Sequence, residues 1–299
     1  MEASMEKNAP RKGRYLDLGL LLALGAAWGA SYLFIKIGIG EIPPLTFVAL
    51  RLSLGAVIMV LLLRVLGYPI PRTWRQWRGF AVMGFLSGAV PWTLISWGEQ
   101  YISSGLAALL QATMPIFTVI MAHFAVKDEA MIPAKVLGVV VGFVGVGLLM
   151  LPDLREGVQA SLLGQLAIVG SSASYAAGAI FARREFRGQS PLVSTMGQLA
   201  TGALMMLPIS LLVDRPFDLS PSWPAIGSLL VLTVVGTVLA YVIYYALIER
   251  TSATFVSTVT YIIPVNGLLL GALVLDESLE VGLWVSLGLI LLGVLLSRR

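Results

Sequence analysis

The chain has 299 residues, 58% hydrophobic and only 12% charged, with a formal net charge of +4 and no cysteine. A typical soluble domain carries about 25% charged residues, so this balance excludes ordinary soluble classes and fits a multi-span membrane protein. Disulfides and thiolate metal sites are excluded with cysteine. The small positive charge does not point to nucleic acid, because the basic residues sit in short loops between apolar runs.

In chain order, residues 1–14 form a polar, basic tail that opens onto an apolar run too long for a signal peptide. No small-residue cleavage site follows, so the first span is expected to be retained. A span needs about 20 apolar residues. Ten are predicted, over 15–38, 45–66, 77–98, 104–126, 132–151, 160–182, 191–213, 224–247, 253–275 and 280–297. Between them lie Glu41-Ile42-Pro43-Pro44, Pro69 to Arg72, Pro152-Asp153, Ser190-Pro191, Asp214-Arg215-Pro216 and Asp276-Glu277. These turn-forming or charged clusters would be costly in hydrocarbon. The third and eighth runs allow shorter limits, and the second contains Arg51.

Basic residues fix the orientation. With the N-terminus in the cytoplasm, that side receives nearly all of them, including Lys7, Arg14, Arg64, Arg78, Lys127, Arg183, Arg250 and Arg299. The other side receives only Arg155 and Arg215, with acids such as Glu41, Asp153, Asp214 and Glu277. Both termini are then cytoplasmic.

The chain also repeats itself. Moved on by 147 positions, Trp28 meets Tyr175, Lys36 meets Arg183, Arg51 meets Gln198 and Pro44-Leu45 meets Pro191-Leu192. At 149, Trp74 meets Trp223, Trp92 meets Tyr241, Ser103 meets Ser252, Pro115 meets Pro264 and Asp128 meets Glu277. An ordered series with its punctuation in register indicates an internal repeat. Five spans per half is an odd number, so the halves are inverted. The predicted fold is all-α, ten transmembrane helices as two inverted five-helix repeats at 15–151 and 160–297, joined by an external linker at 152–159. Inverted repeats with binding near the midplane are a transporter architecture. A proline in mid-span removes a backbone hydrogen bond, so Pro115 and Pro264 are expected to be a pair of hinges or gates.

The run Trp28-Gly29-Ala30-Ser31-Tyr32…Lys36-Ile37-Gly38 with Ile42-Pro43-Pro44…Arg51 resembles the start of an EamA domain. The Pro115 helix, Lys127-Asp128-Glu129 and Gly138…Gly142 resemble its end, and the second half carries a looser version ending Pro264…Asp276-Glu277-Ser278 and Gly288…Gly293. The chain thus resembles the drug/metabolite transporter superfamily, ten-helix EamA-type branch, over residues 15–297. Its aromatic residues and layout are similar to the YddG-like amino-acid exporters. The resemblance implies export of small polar metabolites across the inner membrane by alternating access.

Several residues are candidates for the substrate cavity. Arg51 lies about 10 Å into its helix; it either snorkels to the outer interface or braces backbone carbonyls, or it faces the cavity and attracts a carboxylate. Lys36, nearer its helix end, either snorkels or lines the outer vestibule. Trp28, Tyr32 and Lys36 share one helical face, beside Gly25 and Gly29, which admit a neighbouring helix. Trp92, Ser96 and Glu99 form a second stripe after Pro91, with Tyr175, Tyr241, Tyr244 and Tyr245 from the other half. Aromatic walls with hydroxyl donors suit an amino acid or similar zwitterion; interfacial belts account equally well for Trp74, Trp77, Trp97, Tyr101 and Trp223. Gln111, Gln165, Gln198 and Thr258 either bridge helices or line the cavity. Glu99 is the one acid suited to proton coupling, unless it is an outer-loop carboxylate in water. His123 belongs at the cytoplasmic interface.

No GxSG, GxGD or HExxH motif occurs in a span, so an intramembrane enzyme is disfavoured, as is a channel, which would show a filter loop or charged ring. No cofactor or metal is expected. The alternative on the same fold is export of drugs or other metabolites. The expected partners are the substrate and the bilayer, the chain being a monomer unless Gly288 and Gly293 form a homodimer face.

Overall fold

Hydrocarbon offers a backbone no hydrogen-bond partners, so apolar runs of this length satisfy their N–H and C=O groups internally, as helices. A computed structural model describes residues 11–125 and 131–297 and contains no strand among them. The helices are α1 (Arg11–Ile39), α2 (Pro44–Val65), α3 (Trp74–Gly84), α4 (Val90–Gly98), α5 (Ser104–Gln111), α6 (Met114–Ala125), α7 (Pro133–Glu156), α8 (Gln159–Glu185), α9 (Pro191–Val213), α10 (Trp223–Thr233), α11 (Ala240–Arg250), α12 (Ala253–Ser257), α13 (Val259–Leu275) and α14 (Val281–Ser297). Nine stretches among the described residues are long and apolar enough to cross a membrane; α14 is apolar but shorter, at 17 residues. The predicted Lys127-Asp128-Glu129 punctuation, the first ten residues of the tail, Arg298 and Arg299 lie outside the described residues.

Two expectations about helix continuity need correction. Pro152 does not end the fifth span: α7 runs through it to Glu156 and stops at Gly157, whose φ of 70° ends the helix in a left-handed cap. The predicted linker is therefore largely helical. Nor does Pro115 sit in mid-helix. The chain breaks at Ala112-Thr113, and Pro115 occupies the first turn of α6, where a missing N–H costs little. Pro264 does lie inside a helix, α13, whose break comes earlier, at Thr258.

The third and eighth spans each contain a π-helical segment, Phe85–Ala89 between α3 and α4 and Val234–Leu239 between α10 and α11. Phe85 and Val234 are 149 positions apart, the register of the repeat. Ser103 and Ser252 likewise cap α5 and α12 in the same way, accepting the N–H of Leu106 and Phe255. The packing follows an inverted-repeat-like pattern. Helix α2 lies along α9 and α7 along α14; α1 packs on α10 and α13, while α8 packs on α4, α5 and α6.

Small residues set these approaches. A Cβ on Gly29 would meet Asn266 and the Ile263 carbonyl, so the neighbour admitted beside Gly25 and Gly29 is α13. Gly293 faces Gly138 and Gly142 across the α7–α14 contact, too close for a Cβ. It is thus committed within the chain and not to a homodimer face, whereas Gly288 meets nothing within 4 Å. Trp74 and Trp223 are strongly exposed and Trp97 and Tyr101 partly so, as belts require. Trp77 instead donates to the Pro71 carbonyl and packs edge-on against Phe80.

Candidate functional site

Arg51 is carried on α2 by a turn that opens Pro43-Pro44, and α2 is apolar on both sides of it. Its side chain is only 7% exposed, so it does not snorkel. The guanidinium carbon lies over Trp92, 3.8 Å from the ring centroid, and the group donates from Nε and Nη2 to the Thr237 hydroxyl at 3.1 and 3.0 Å. An ion held this way keeps its charge by stacking and hydrogen bonding in place of water. Tyr32, Tyr175, Tyr241 and Glu99 all lie within electrostatic range of it.

The π-helical segments explain the local geometry. An extra residue in the turn rotates the remainder of the helix and re-aims the side chains at that depth. Thr237 sits in the second such segment and receives Arg51; Ser87 sits in the first, and its carbonyl accepts the Gln198 side-chain amide at 3.1 Å. Arg51 and Gln198 are repeat equivalents, so each half reaches from its second helix into the π segment of the other. Only one of the two is charged.

Below this pair is an aromatic group. Trp28 contacts Tyr241 at 6.2 Å and Tyr244 at 5.5 Å, Tyr241 stacks on Tyr245 at 6.1 Å, and Tyr245 lies near the Thr195 hydroxyl at 3.4 Å. These four rings are half-buried, while Tyr32 and Trp92 are buried. The geometry thus brings together Trp28, Tyr32, Arg51, Trp92, Tyr175, Gln198, Tyr241, Tyr244 and Tyr245, with Ser96 buried one turn beyond Trp92. Two further candidates have hydrogen bonds outside this group: Gln111 accepts from Ser171 of α8 at 2.6 Å, and Thr258 donates to the Phe255 carbonyl at the break before α13. Gln165 bridges to Asp153. A separate groove of about 420 Å³ between α1 and α13, lined by Leu22, Ala26, Tyr261 and Asn266 among others, includes none of the grouped side chains.

Lys36 and Glu99 occupy the end of the bundle where α1 and α4 finish. Lys36 turns inward and donates to the main-chain carbonyls of Glu99 and Ile102, the latter at 2.8 Å. Glu99 is not a carboxylate in water: it is 0% exposed. Sequence reasoning missed this because burial at the end of a span depends on which helices pack around it: Lys36 reaches Glu99 from 63 positions away in the chain.

Also missed were three carboxylates at that same end, each capping a helix from the other half of the chain. Glu41 accepts the Ser222 N–H and hydroxyl before α10, at 2.6 and 2.5 Å. Asp214 accepts the Thr46 N–H and hydroxyl at 2.7 and 2.8 Å, in the first turn of α2. Glu277 accepts the N–H groups of Ser104 and Gly105 at 2.7 and 2.9 Å. Carboxylates at helix N-termini gain both hydrogen bonds and favourable dipole alignment. At the opposite end, Arg250 pairs with Asp17 at 2.7 Å, the arginine exposed and the aspartate partly buried; ion pairs near a surface contribute little.

Of the three caps, Glu41 gives a direct pH readout. The Ser222 hydroxyl and N–H hold its carboxyl below its ordinary value. Its contribution is therefore fully present above that ordinary value and is lost as pH falls through the lowered one. Glu41→Gln should flatten the acid limb of a melting-temperature profile, and an unchanged acid limb would exclude a contribution from this cap.

Three comparisons bear on the chain. The model of the EamA-like transporter family matches residues 17–151 and again 162–299. Among similar proteins, the uncharacterized transporter YoaV of Bacillus subtilis (strain 168) is 26% identical over 93% of this chain and 94% of its own length. The uncharacterized inner membrane transporter YedA of Escherichia coli (strain K12) is 27% identical over 93% and 89%. A solved structure described only as the crystal structure of a protein superposes with a TM-score of 0.65 at 17% identity, over 97% of this chain and 98% of that one, and shares its fold. Among the described residues, no group of three or more His, Cys, Asp or Glu is placed to hold a metal.

Proposed function

We propose that this protein, which belongs to the EamA-like transporter family, exports amino acids or closely similar carboxylate-bearing metabolites across the inner membrane. Membership makes it a multi-pass membrane transporter of small molecules and not an enzyme. The observation that carries the narrower reading is Arg51: a buried guanidinium over Trp92, beside tyrosine hydroxyls and above a group of half-buried rings. Arg recognises carboxylates by paired, charge-assisted hydrogen bonds, and aromatic walls suit a neutral side chain or an ammonium group. A drug exporter for lipophilic cations would place an acid, not an arginine, at this depth.

In this reading the two halves, 15–151 and 160–297, are inverted five-helix units, with both termini cytoplasmic, that rock about the Arg51–Trp92 level. The Glu41, Asp214 and Glu277 caps would tie the halves together at the external end, and the surface Arg250–Asp17 pair would hold the internal end more weakly. Counterflow of labelled neutral and aromatic amino acids into proteoliposomes tests the proposal. Saturable exchange accelerated by substrate on the far side supports a carrier; absence of any amino-acid exchange would reject the substrate class, and unsaturable flux would favour a channel.

Pro115 and Pro264 enter as hinges through the breaks at Ala112-Thr113 and Thr258 that precede them. Pro115→Ala and Pro264→Ala should slow turnover several-fold with little change in folding, measured by counterflow beside thermal melting. The Pro264 variant should have the larger effect, because only that proline interrupts hydrogen bonding inside a formed helix. Unaltered rates in both variants would reduce the prolines to fixed features.

A further inference from the structure

Glu99 belongs neither to the Arg51 group nor to the caps. It is fully buried, and neither of its carboxylate oxygens meets a hydrogen-bond donor among the described residues. The groups around it are committed. Lys36, from α1, gives its ammonium to the carbonyls of Glu99 and Ile102. Arg51, from α2, is held by Trp92 and Thr237. Glu277, from the segment after α13, is bound to two N–H groups of α5. Tyr32, from α1, completes the set of titratable and charged groups that face the carboxyl.

A buried carboxylate that lacks hydrogen bonds and a paired cation is costly, by several kcal/mol in real proteins. The inexpensive way to close this end of the bundle is to bury the group neutral. Separating α1 from the turn between α4 and α5 would reverse that. Water would reach the carboxyl, and Lys36, freed from the two carbonyls, would become its counter-ion.

We propose that Glu99 is a proton-binding site whose occupancy is tied to closure of the Lys36 end: it holds a proton when that end is closed and releases it when the end opens. The step is simple acid dissociation, Glu99–COOH giving Glu99–COO⁻ and a proton that leaves to water at the opened end. Because the closed form binds the additional proton, low pH favours closure and high pH favours opening. The proposal rests on the alternating-access reading above but on no choice of substrate.

Two measurements on the full-length protein test it without a substrate. The first is the infrared carbonyl band of a protonated carboxylic acid at neutral pH. It should be present in the wild type, absent in Glu99→Gln and restored in Glu99→Asp. A band unchanged in Glu99→Gln would overturn the proposal. The second uses the absence of native cysteine: Ser96→Cys, one turn from Glu99, is labelled by an impermeant maleimide added at the Lys36 end. Labelling, taken relative to a permanently exposed cysteine at the same pH so that the thiol's own ionisation cancels, should rise with pH, by up to about tenfold per pH unit for a single linked proton, and this residual slope should vanish when Glu99→Gln is added. Equal slopes with and without Glu99, or no slope in either, would overturn the proposal. Failure of amino-acid counterflow would reject the substrate assignment and leave both readouts intact.

Discussion

Replacing Arg51 by alanine should lower amino-acid counterflow by at least about tenfold, and the loss should fall on recognition of the carboxylate. Truncating one side of a buried charge pair costs about 2–5 kcal/mol, and 1.4 kcal/mol is a factor of about ten. The guanidinium is held by Trp92 on its face and by Thr237 on Nε and Nη2. A carboxylate would therefore approach its remaining edge while the arginine stays in place. Arg51→Lys keeps the charge but loses the planar stack and the fork of donors, so it should recover only part of the rate. The decisive comparison is an amino acid against the corresponding amine. Wild type should discriminate strongly and Arg51→Ala weakly. Equal loss for both compounds would make Arg51 a brace between α2 and the Val234–Leu239 segment rather than a binding residue.

The second large effect is expected at Glu277. Its two carboxylate oxygens take the first free N–H groups of α5, and it lies against Gly271, where even a Cβ would collide with it. Charge-assisted hydrogen bonds of this kind contribute about 1.5–3 kcal/mol. Glu277→Ala should shift the balance toward opening of the Lys36 end by about tenfold or more. The measurement is maleimide labelling of Ser96→Cys, which is almost completely buried in the closed form. Glu277→Gln, which keeps an acceptor but not the charge, should fall between. If labelling in Glu277→Ala matches that of its parent, the carboxylate caps α5 without holding the end closed.

These two residues differ in how far the sequence exposes them. Arg51 is visible as a charge inside an apolar run, but its direction is not, because snorkelling and burial share one pattern. The π-helical segment decides it by presenting Thr237 at the depth of the guanidinium. Glu277 reads as one more turn acid, since nothing local reveals that α5, about 170 positions away, has unsatisfied N–H groups facing it.

What the sequence determined by itself is what depends on chain-local physics. Long apolar runs must be helical in hydrocarbon, charge clusters must lie near their ends, and repeated spacing must yield related packing. From these constraints come the helices to within a few residues and the pairing of Trp92 with Tyr241 in register. Only the tertiary structure decided which polar groups are spent and which are free. The Gln111 side-chain oxygen is taken up by Ser171, and Lys36 is turned from water to two carbonyls. Burial leaves the Glu99 carboxyl without a hydrogen-bond partner among the described residues. The reason is physical: hydrogen bonds at these ends form between segments far apart in the chain, and their partners are chosen by how the helices pack.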